Sequence, residues 1–126
     1  MNIARIALAF IFIYHGLVPK LLSRDPVEIA MSQQLSAWLA PHIYISQPLI
    51  TKSAGIAEIV FGVLILVLPN QRWLSGLAIL VLAALLVMSL FIMPSLATGA
   101  FNPVTTNVAG IALAWIVFQS KTKKFK

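Results

Sequence analysis

Long, predominantly apolar runs of residues are the feature that most limits how this chain can fold. Four such runs cover residues 3–22, 48–68, 72–93 and 104–120. Each is long enough to cross a hydrocarbon core of about 30 Å, which takes about 20 helical residues. Backbone groups in lipid must bond within their own segment, so continuous apolar runs predict helices and exclude an open sheet. The sequence therefore predicts an all-α, integral membrane four-helix bundle that forms a single domain.

A further short helix is predicted between the first and second transmembrane helices. Asp25 followed by Pro26 is typical of a helix start, and Glu28 is expected to bond back to the N–H group at that start. One face of the segment 26–40 is apolar and carries Val27, Met31, Leu35 and Trp38. The opposite face carries Glu28, Ser32 and Ser36. We predict an amphipathic cap helix folded over the outer end of the bundle, with a helix lying on the membrane surface as the alternative.

The second connection and the distribution of charge predict the topology. Leu68-Pro69-Asn70-Gln71-Arg72 indicates a tight hairpin that makes the second and third spans antiparallel neighbours. One side of the membrane receives most of the basic residues, which are Arg5, Arg72, Lys121, Lys123, Lys124 and Lys126. The positive-inside rule then places both termini in the cytoplasm, with 121–126 as a basic tail. This distribution accounts for the net charge of +6 without nucleic-acid binding.

The chain contains no cysteine. Disulfides, thiolate nucleophiles and cysteine metal sites are therefore excluded within it. The two histidines, His15 and His42, are isolated in the sequence and predict no metal site.

Glu58 is the only acidic side chain inside a predicted span. An ionisable group at that depth costs about 2.5–3.5 kcal/mol on insertion scales, so it indicates a functional site by default. A structural role, in which Glu58 holds two helices together by hydrogen bonding, is the alternative. At 1.5 Å per residue, Glu58 lies about 15 Å from the outer surface and His15 about 18 Å from the opposite one. In a core of about 30 Å these depths nearly coincide, so a Glu58–His15 pair is geometrically possible.

Other polar residues are expected near the same depth or at its entrance. Pro19 lacks an N–H group, so it leaves the carbonyl of His15 open to a polar partner, water or a ligand. The ligand-binding candidates are Glu58, His15, Tyr14, Lys20, Lys52, Asn102 and Asn107. Glu58 and His15 are also the candidates for a catalytic role. The simpler alternatives are a packed core histidine at position 15 and snorkelling interface lysines at positions 20 and 52.

Three segments together resemble the DoxX-like family of small bacterial membrane proteins. They are Tyr14-His15-Gly16-Leu17-Val18-Pro19-Lys20-Leu21-Leu22 with Asp25-Pro26-Val27-Glu28, Ala54-Gly55-Ile56-Ala57-Glu58, and Phe101-Asn102-Pro103-Val104. The resemblance implies a four-helix bundle in the bacterial inner membrane. Some members of that family are the small subunit of a thiosulfate:quinone oxidoreductase, and others associate with oxidative-stress or thiol-handling proteins. Because this chain lacks cysteine, a redox role would need a quinone or a partner's cofactor.

Three hypotheses for function follow. The first is an accessory subunit, not an enzyme on its own, with an outer-facing pocket around Glu58 and His15 for a quinone, a lipid-like ligand or a partner. The second is a quinone-linked oxidoreductase subunit in which these two residues carry protons. The third is a structural membrane anchor that binds a membrane or periplasmic protein through the cap helix and the uncharged third connection, residues 94–101. Contact with the lipid bilayer is common to all three, and a homo-oligomer stays open.

Overall fold

Helices account for nearly all of the structure. A computed structural model describes residues 3–100 and 102–120, whereas Phe101 and the predicted basic tail at 121–126 lie outside the described residues. The five α-helices are α1 (Ile3–Leu17), α2 (Pro26–Leu39), α3 (Gln47–Val67), α4 (Arg72–Ile92) and α5 (Pro103–Ser120). A π-helical turn, Val18–Leu22, continues α1, and a short 3₁₀ helix, Pro94–Thr98, precedes α5. The predicted all-α fold class is confirmed.

Three helical segments are long and apolar enough to cross a membrane. Among the described residues they are Ile3–Leu22, Gln47–Val67 and Arg72–Ile92. By the same measure of length and composition α5 is not among them. A membrane-type helical bundle is therefore established, and the fourth span over 104–120 stays a prediction.

The helices do not pack in the order of the sequence. α1 packs along α3 on one side and α5 on the other, and α4 packs mainly along α5. The prediction that the short turn makes α3 and α4 close neighbours is largely wrong, since they touch much less than α1 and α3 do. A short turn fixes only the ends that it joins. The core cluster lies between the long helices and contains Leu8, Ala9, Phe12, Ile65, Ala78, Leu82, Ala114 and Val117.

Three glycines allow α3 to pack closely against α1. A Cβ added at Gly16 would collide with the backbone oxygen of Gly55, and one added at Gly55 would lie 2.7 Å from the oxygen of Gly16. At Gly62 an added Cβ would lie 2.9 Å from the oxygen of Ala9. Backbone atoms cannot move aside as a flexible side chain can, so these three positions accept only glycine at this spacing. Small residues of this kind let membrane helices approach closely.

The chain reverses direction sharply between α1 and α2. Ser23 N–H donates to the oxygen of Val18, which closes the π turn, and Arg24 has a left-handed backbone with φ of 49°. Asp25 caps α2 as predicted, because its side chain accepts from Val27 and Glu28 N–H. The expected return bond from Glu28 is wrong, since the N–H of Asp25 donates to the oxygen of Pro19. The Glu28 carboxylate is left available to another partner.

α2 presents its polar face to the bundle. Ser32 is the buried residue of this helix, whereas Val27 and Trp38 are 40% and 45% exposed. The hydroxyl oxygens of Ser32 and Thr51 are 2.8 Å apart, and the Ser36 hydroxyl donates to the oxygen of Ile45 at 2.6 Å. The helix predicted after Asp25 is present, and the structure adds that its polar side packs on the bundle. Hydrogen-bonding groups on α3 and on the connection 40–46 select the polar face.

Candidate functional site

The ammonium group of Lys20 joins three segments of the chain. Its Nζ lies 3.0 Å from Glu58 Oε2 on α3, 3.3 Å from Glu28 Oε1 on α2 and 3.4 Å from the carbonyl oxygen of His15 on α1. A lysine ammonium group has three N–H donors, and here each has an acceptor. We call Lys20, Glu28 and Glu58 the charged cluster.

Local backbone chemistry brings Lys20 into this position. Pro19 supplies no N–H to the carbonyl of His15, and the structure shows that the Lys20 side chain folds back to donate to that oxygen. The π turn that begins at Val18 widens the end of α1, an irregularity that is frequent at functional sites. The close contact of Gly16 with Gly55 then places α3 near enough for Glu58 to reach the ammonium group.

The cluster is shielded from the surroundings and unbalanced in charge. The side chains of Lys20, Glu58 and Glu28 are only 10%, 13% and 24% exposed. Two carboxylate groups face a single ammonium group, so the cluster contains one more acidic than basic side chain. Removing one member of a buried ion pair costs about 3–5 kcal/mol, because an uncompensated charge stays behind. The arrangement therefore depends on all three residues.

A small cavity lies between the long helices beside the charged cluster. Its volume is about 30 Å³. α1, α3, α4 and α5 all contribute to its lining, which consists of Ile11, Phe12, His15, Glu58, Leu82, Leu85, Thr106 and Asn107. A cavity needs about 10–15 Å³ to hold a water molecule, whereas pockets for drug-sized ligands measure about 300–1,000 Å³. In this conformation the cavity fits water and no ring-sized molecule.

Glu58 and His15 share this cavity without forming a pair. The Glu58 side chain is largely buried and its described hydrogen-bond partner is Lys20. His15 is exposed at the protein surface and also lines the cavity. Helical rise predicts similar depths for the two residues and both line one cavity, but the described partner of the Glu58 carboxylate is Lys20.

The remaining candidates divide into two groups. Asn107 lines the cavity, and its side-chain amide donates to the oxygen of Pro103 at 2.8 Å. Asn102 instead caps α5, since its Oδ1 accepts from Thr105 N–H at 3.0 Å. Tyr14 is 48% exposed and packs on Phe10, with ring centroids 5.5 Å apart. Lys52 is exposed on α3 and is not among the residues of the cavity or the charged cluster.

Sequence reasoning did not assign Glu28 or Thr106 to the site. Glu28 has an obvious alternative role three residues after a helix cap, and that role conceals its pairing with Lys20. The sequence did contain a signal for this pairing. Lys20 and Glu28 carry opposite charges on the two sides of the connection between the first span and the cap helix, and Arg24 and Asp25 are the other charged residues there. Thr106 could have been found from its place beside Asn107 in the first turns of α5.

These features define an integral membrane protein with a polar site between its helices. Comparison with known families gives a narrower assignment. The model of the DoxX-like family matches residues 9–115. The match spans most of the 126 residues and includes the charged cluster and all residues that line the cavity, so the chain belongs to the DoxX-like family. Searches of curated proteins and of solved structures gave no match.

Proposed function

We propose that this protein is an accessory membrane subunit whose polar site binds the headgroup of a small apolar molecule, a quinone or a lipid-like compound. The observation that carries the proposal is the charged cluster beside a cavity lined by all four long helices. Ionisable residues within membrane segments are rare and mark functional sites by default. Sites for small molecules in helical bundles are built between the helices in the same way.

The size of the cavity limits how such a ligand would bind. A volume of about 30 Å³ does not admit a quinone ring. We therefore propose that only the polar end of the ligand engages His15 and Asn107, while its apolar tail stays in the surrounding lipid. The exposed position of His15 supports this mode, because a ligand could reach the imidazole without entering the core.

A second candidate is a quinone-linked oxidoreductase subunit in which Glu58 and His15 carry protons. The observation that favours it is that both residues line a cavity of the size of a water molecule. One bridging water there would connect the carboxylate to the imidazole. The electron acceptor would be a quinone, and the source of electrons would be a partner's cofactor.

A third candidate is a structural membrane anchor. The complete set of acceptors around Lys20 favours it, because a fully satisfied polar network makes a core unique and rigid. Under this candidate the charged cluster would hold α1, α2 and α3 in place. A membrane or periplasmic protein would then bind the face of α2 that carries Val27, Met31, Leu35 and Trp38.

We further propose that the protein resides in the bacterial inner membrane with both termini in the cytoplasm. The distribution of basic residues in the sequence supports this orientation. The end of the bundle at which α2 lies would then face the periplasm. A periplasmic or membrane partner, or a second copy of the chain, would meet the protein at that side.

Purification from native membranes in mild detergent, followed by mass spectrometry, tests the first candidate. We expect a stoichiometric quinone or lipid with the wild type, and its loss in His15→Ala and Glu58→Gln. Lys52→Gln is the matched control, since Lys52 is exposed on the same helix as Glu58 and does not line the cavity. Retention of the ligand in both site variants, or its absence from the wild type, would contradict the proposal.

The same preparations separate the other two candidates. Proton transfer predicts quinone reduction in membranes that falls in Glu58→Gln and His15→Ala but not in Lys52→Gln. A structural anchor predicts that Glu58→Gln lowers only the stability. It also predicts a protein partner that co-purifies with the wild type and with His15→Ala alike.

A further inference from the structure

α2 and the connection that follows it expose several large apolar side chains, beside the polar Gln33, Gln34 and His42. Outside the polar stripe of Glu28, Ser32 and Ser36, the large exposed side chains include Val27, Trp38, Ile43 and Tyr44. Tyr44 is 79% and Ile43 57% exposed. We call Val27, Trp38, Ile43 and Tyr44 the α2 apolar surface. Four such side chains in contact with water would be costly, at about 25 cal/mol per Å² of apolar area.

The sequence around this surface lacks charge. Between Glu28 and Lys52 there is no Asp, Glu, Lys or Arg. Glu28 itself turns inward to Lys20, where its side chain is 24% exposed. A connection of this length that faced water would ordinarily carry charged residues on its exposed side. Here the Glu28 carboxylate is turned inward, and the rest of the segment exposes apolar and uncharged groups.

The α2 apolar surface is continuous with a membrane-spanning helix. The Trp38 ring packs edge-on against Phe91, with centroids 5.4 Å apart. Phe91 is 73% exposed near the end of α4 and lies on the same exposed face as Leu80 and Val87. α4 is among the helices that are long and apolar enough to span a membrane, and an exposed apolar face on such a helix suits contact with lipid. Through its contact with Phe91, Trp38 continues this exposed face of α4 onto α2.

We propose that α2 and residues 40–46 lie within the interfacial layer of the bilayer, with the α2 apolar surface in contact with lipid. Helices that lie in this layer bury their apolar face about 5–10 Å into the boundary between headgroups and acyl chains. Tryptophan and tyrosine are enriched at that level because their rings are apolar and carry one polar group. This placement agrees with the inward polar stripe, since Ser32 and Ser36 bond to groups of the bundle and leave the apolar side of α2 for lipid.

Single introduced cysteines test this proposal, since the chain has no native cysteine. Spin labels would be attached at Val27→Cys, Ile43→Cys and Tyr44→Cys. The purified protein, with no other protein present, would be placed in vesicles of phosphatidylethanolamine and phosphatidylglycerol. The measurement is the collision rate of each label with oxygen, which concentrates in lipid, and with a water-soluble nickel chelate.

Two further labels calibrate the scale. Asn70→Cys lies in the turn between α3 and α4, where the residue is exposed, and represents contact with water. Val87→Cys lies on α4, where the side chain is 67% exposed, and represents contact with lipid. We expect the ratio of oxygen to nickel collisions at the three test positions to be several-fold above that at Asn70, and closer to that at Val87.

A ratio at the test positions equal to that at Asn70 would overturn the proposal. The surface would then be wet in the isolated protein, and a partner protein would be the occupant that covers it. Trp38 gives a second measurement that needs no label. With Trp73→Phe and Trp115→Phe it is the only tryptophan left, and we expect brominated lipids to quench its fluorescence strongly. Quenching by aqueous iodide alone would equally overturn the proposal.

Discussion

The α1/α3 and α4/α5 interfaces differ in the kind of atoms that make the contact. α1 and α3 meet backbone to backbone at Gly16 and Gly55, and the charged cluster lies beside this contact. α4 and α5 meet through side chains, as where Leu82 lies over Gly110. An interface made of flexible side chains can adjust to a change, whereas one made of backbone atoms cannot. The charged cluster therefore lies beside α1/α3, the interface of the two that can adjust less.

The largest expected effect is the loss of the cation in the charged cluster. Lys20→Met leaves Glu28 and Glu58 without a counter-ion and His15 O without its donor, so we expect unfolding to become easier by about 3–5 kcal/mol. Lys52→Met, an exposed lysine on α3, is the control and should change stability little. Thermal unfolding in detergent, followed by circular dichroism, is the measurement.

A double-mutant cycle shows whether this effect comes from the pair. Lys20→Met combined with Glu58→Gln removes both charges of the shorter contact, so the double variant should be more stable than the sum of the single effects implies. Strict additivity would mean that the two groups do not interact in the bilayer-like environment. The charged cluster would then lose its role in joining α1 to α3.

The next largest effect is expected at the backbone contact itself. Gly16→Ala places a Cβ against the oxygen of Gly55 and against Glu58 and Ile59, so the helices must separate, at a cost of about 1–3 kcal/mol. Gly76→Ala is the matched control, because its Cβ would meet Phe118 at an ordinary 3.8 Å. Chemical unfolding of both variants is the measurement. Equal stability of the two would show that α1 and α3 are not held at this spacing.

A smaller effect is expected where α2 joins α3. Ser32→Ala removes the hydroxyl that lies 2.8 Å from that of Thr51, and we expect a loss of about 1 kcal/mol. Val27→Ala on the exposed side of α2 should cost less in detergent. Comparison of the two unfolding midpoints checks which face of α2 packs on the bundle. The reverse order would show that the side of α2 with Val27, and not the side with Ser32, packs on the bundle.

The smallest effect is expected at the α4/α5 interface. Gly110→Ala brings a Cβ to 2.9 Å from Leu82 Cδ1, the far end of a flexible side chain that can rotate away. The gain from alanine in a helix, about 0.5–1 kcal/mol, offsets this rearrangement. We expect a net change near zero in the same unfolding measurement. A loss of stability as large as that expected for Gly16→Ala would show that the α4/α5 interface adjusts no better than the α1/α3 interface.

Part of the site was predictable because it depends on local chemistry. Pro19 removes the N–H that a regular α-helix would supply to the carbonyl of His15, and helical rise alone brings Glu58 and His15 to one level. Asp25 could be identified as a cap from the residues beside it. The partner of Glu58 could not be derived this way, because Lys20 reaches it only after α1 and α3 have met and the π turn has redirected its side chain.

The sequence by itself determined that this protein is a helical membrane protein of the DoxX-like family. Apolar runs, caps and prolines specify helices through bonds within each segment, so no distant contact is needed. Only the tertiary structure decided that α3 pairs with α1, that α2 turns its polar face inward, and that Lys20 links Glu28 to Glu58. These outcomes depend on how closely backbones approach and on which polar groups compete for one another. Both are properties of surfaces that exist only once the helices have assembled.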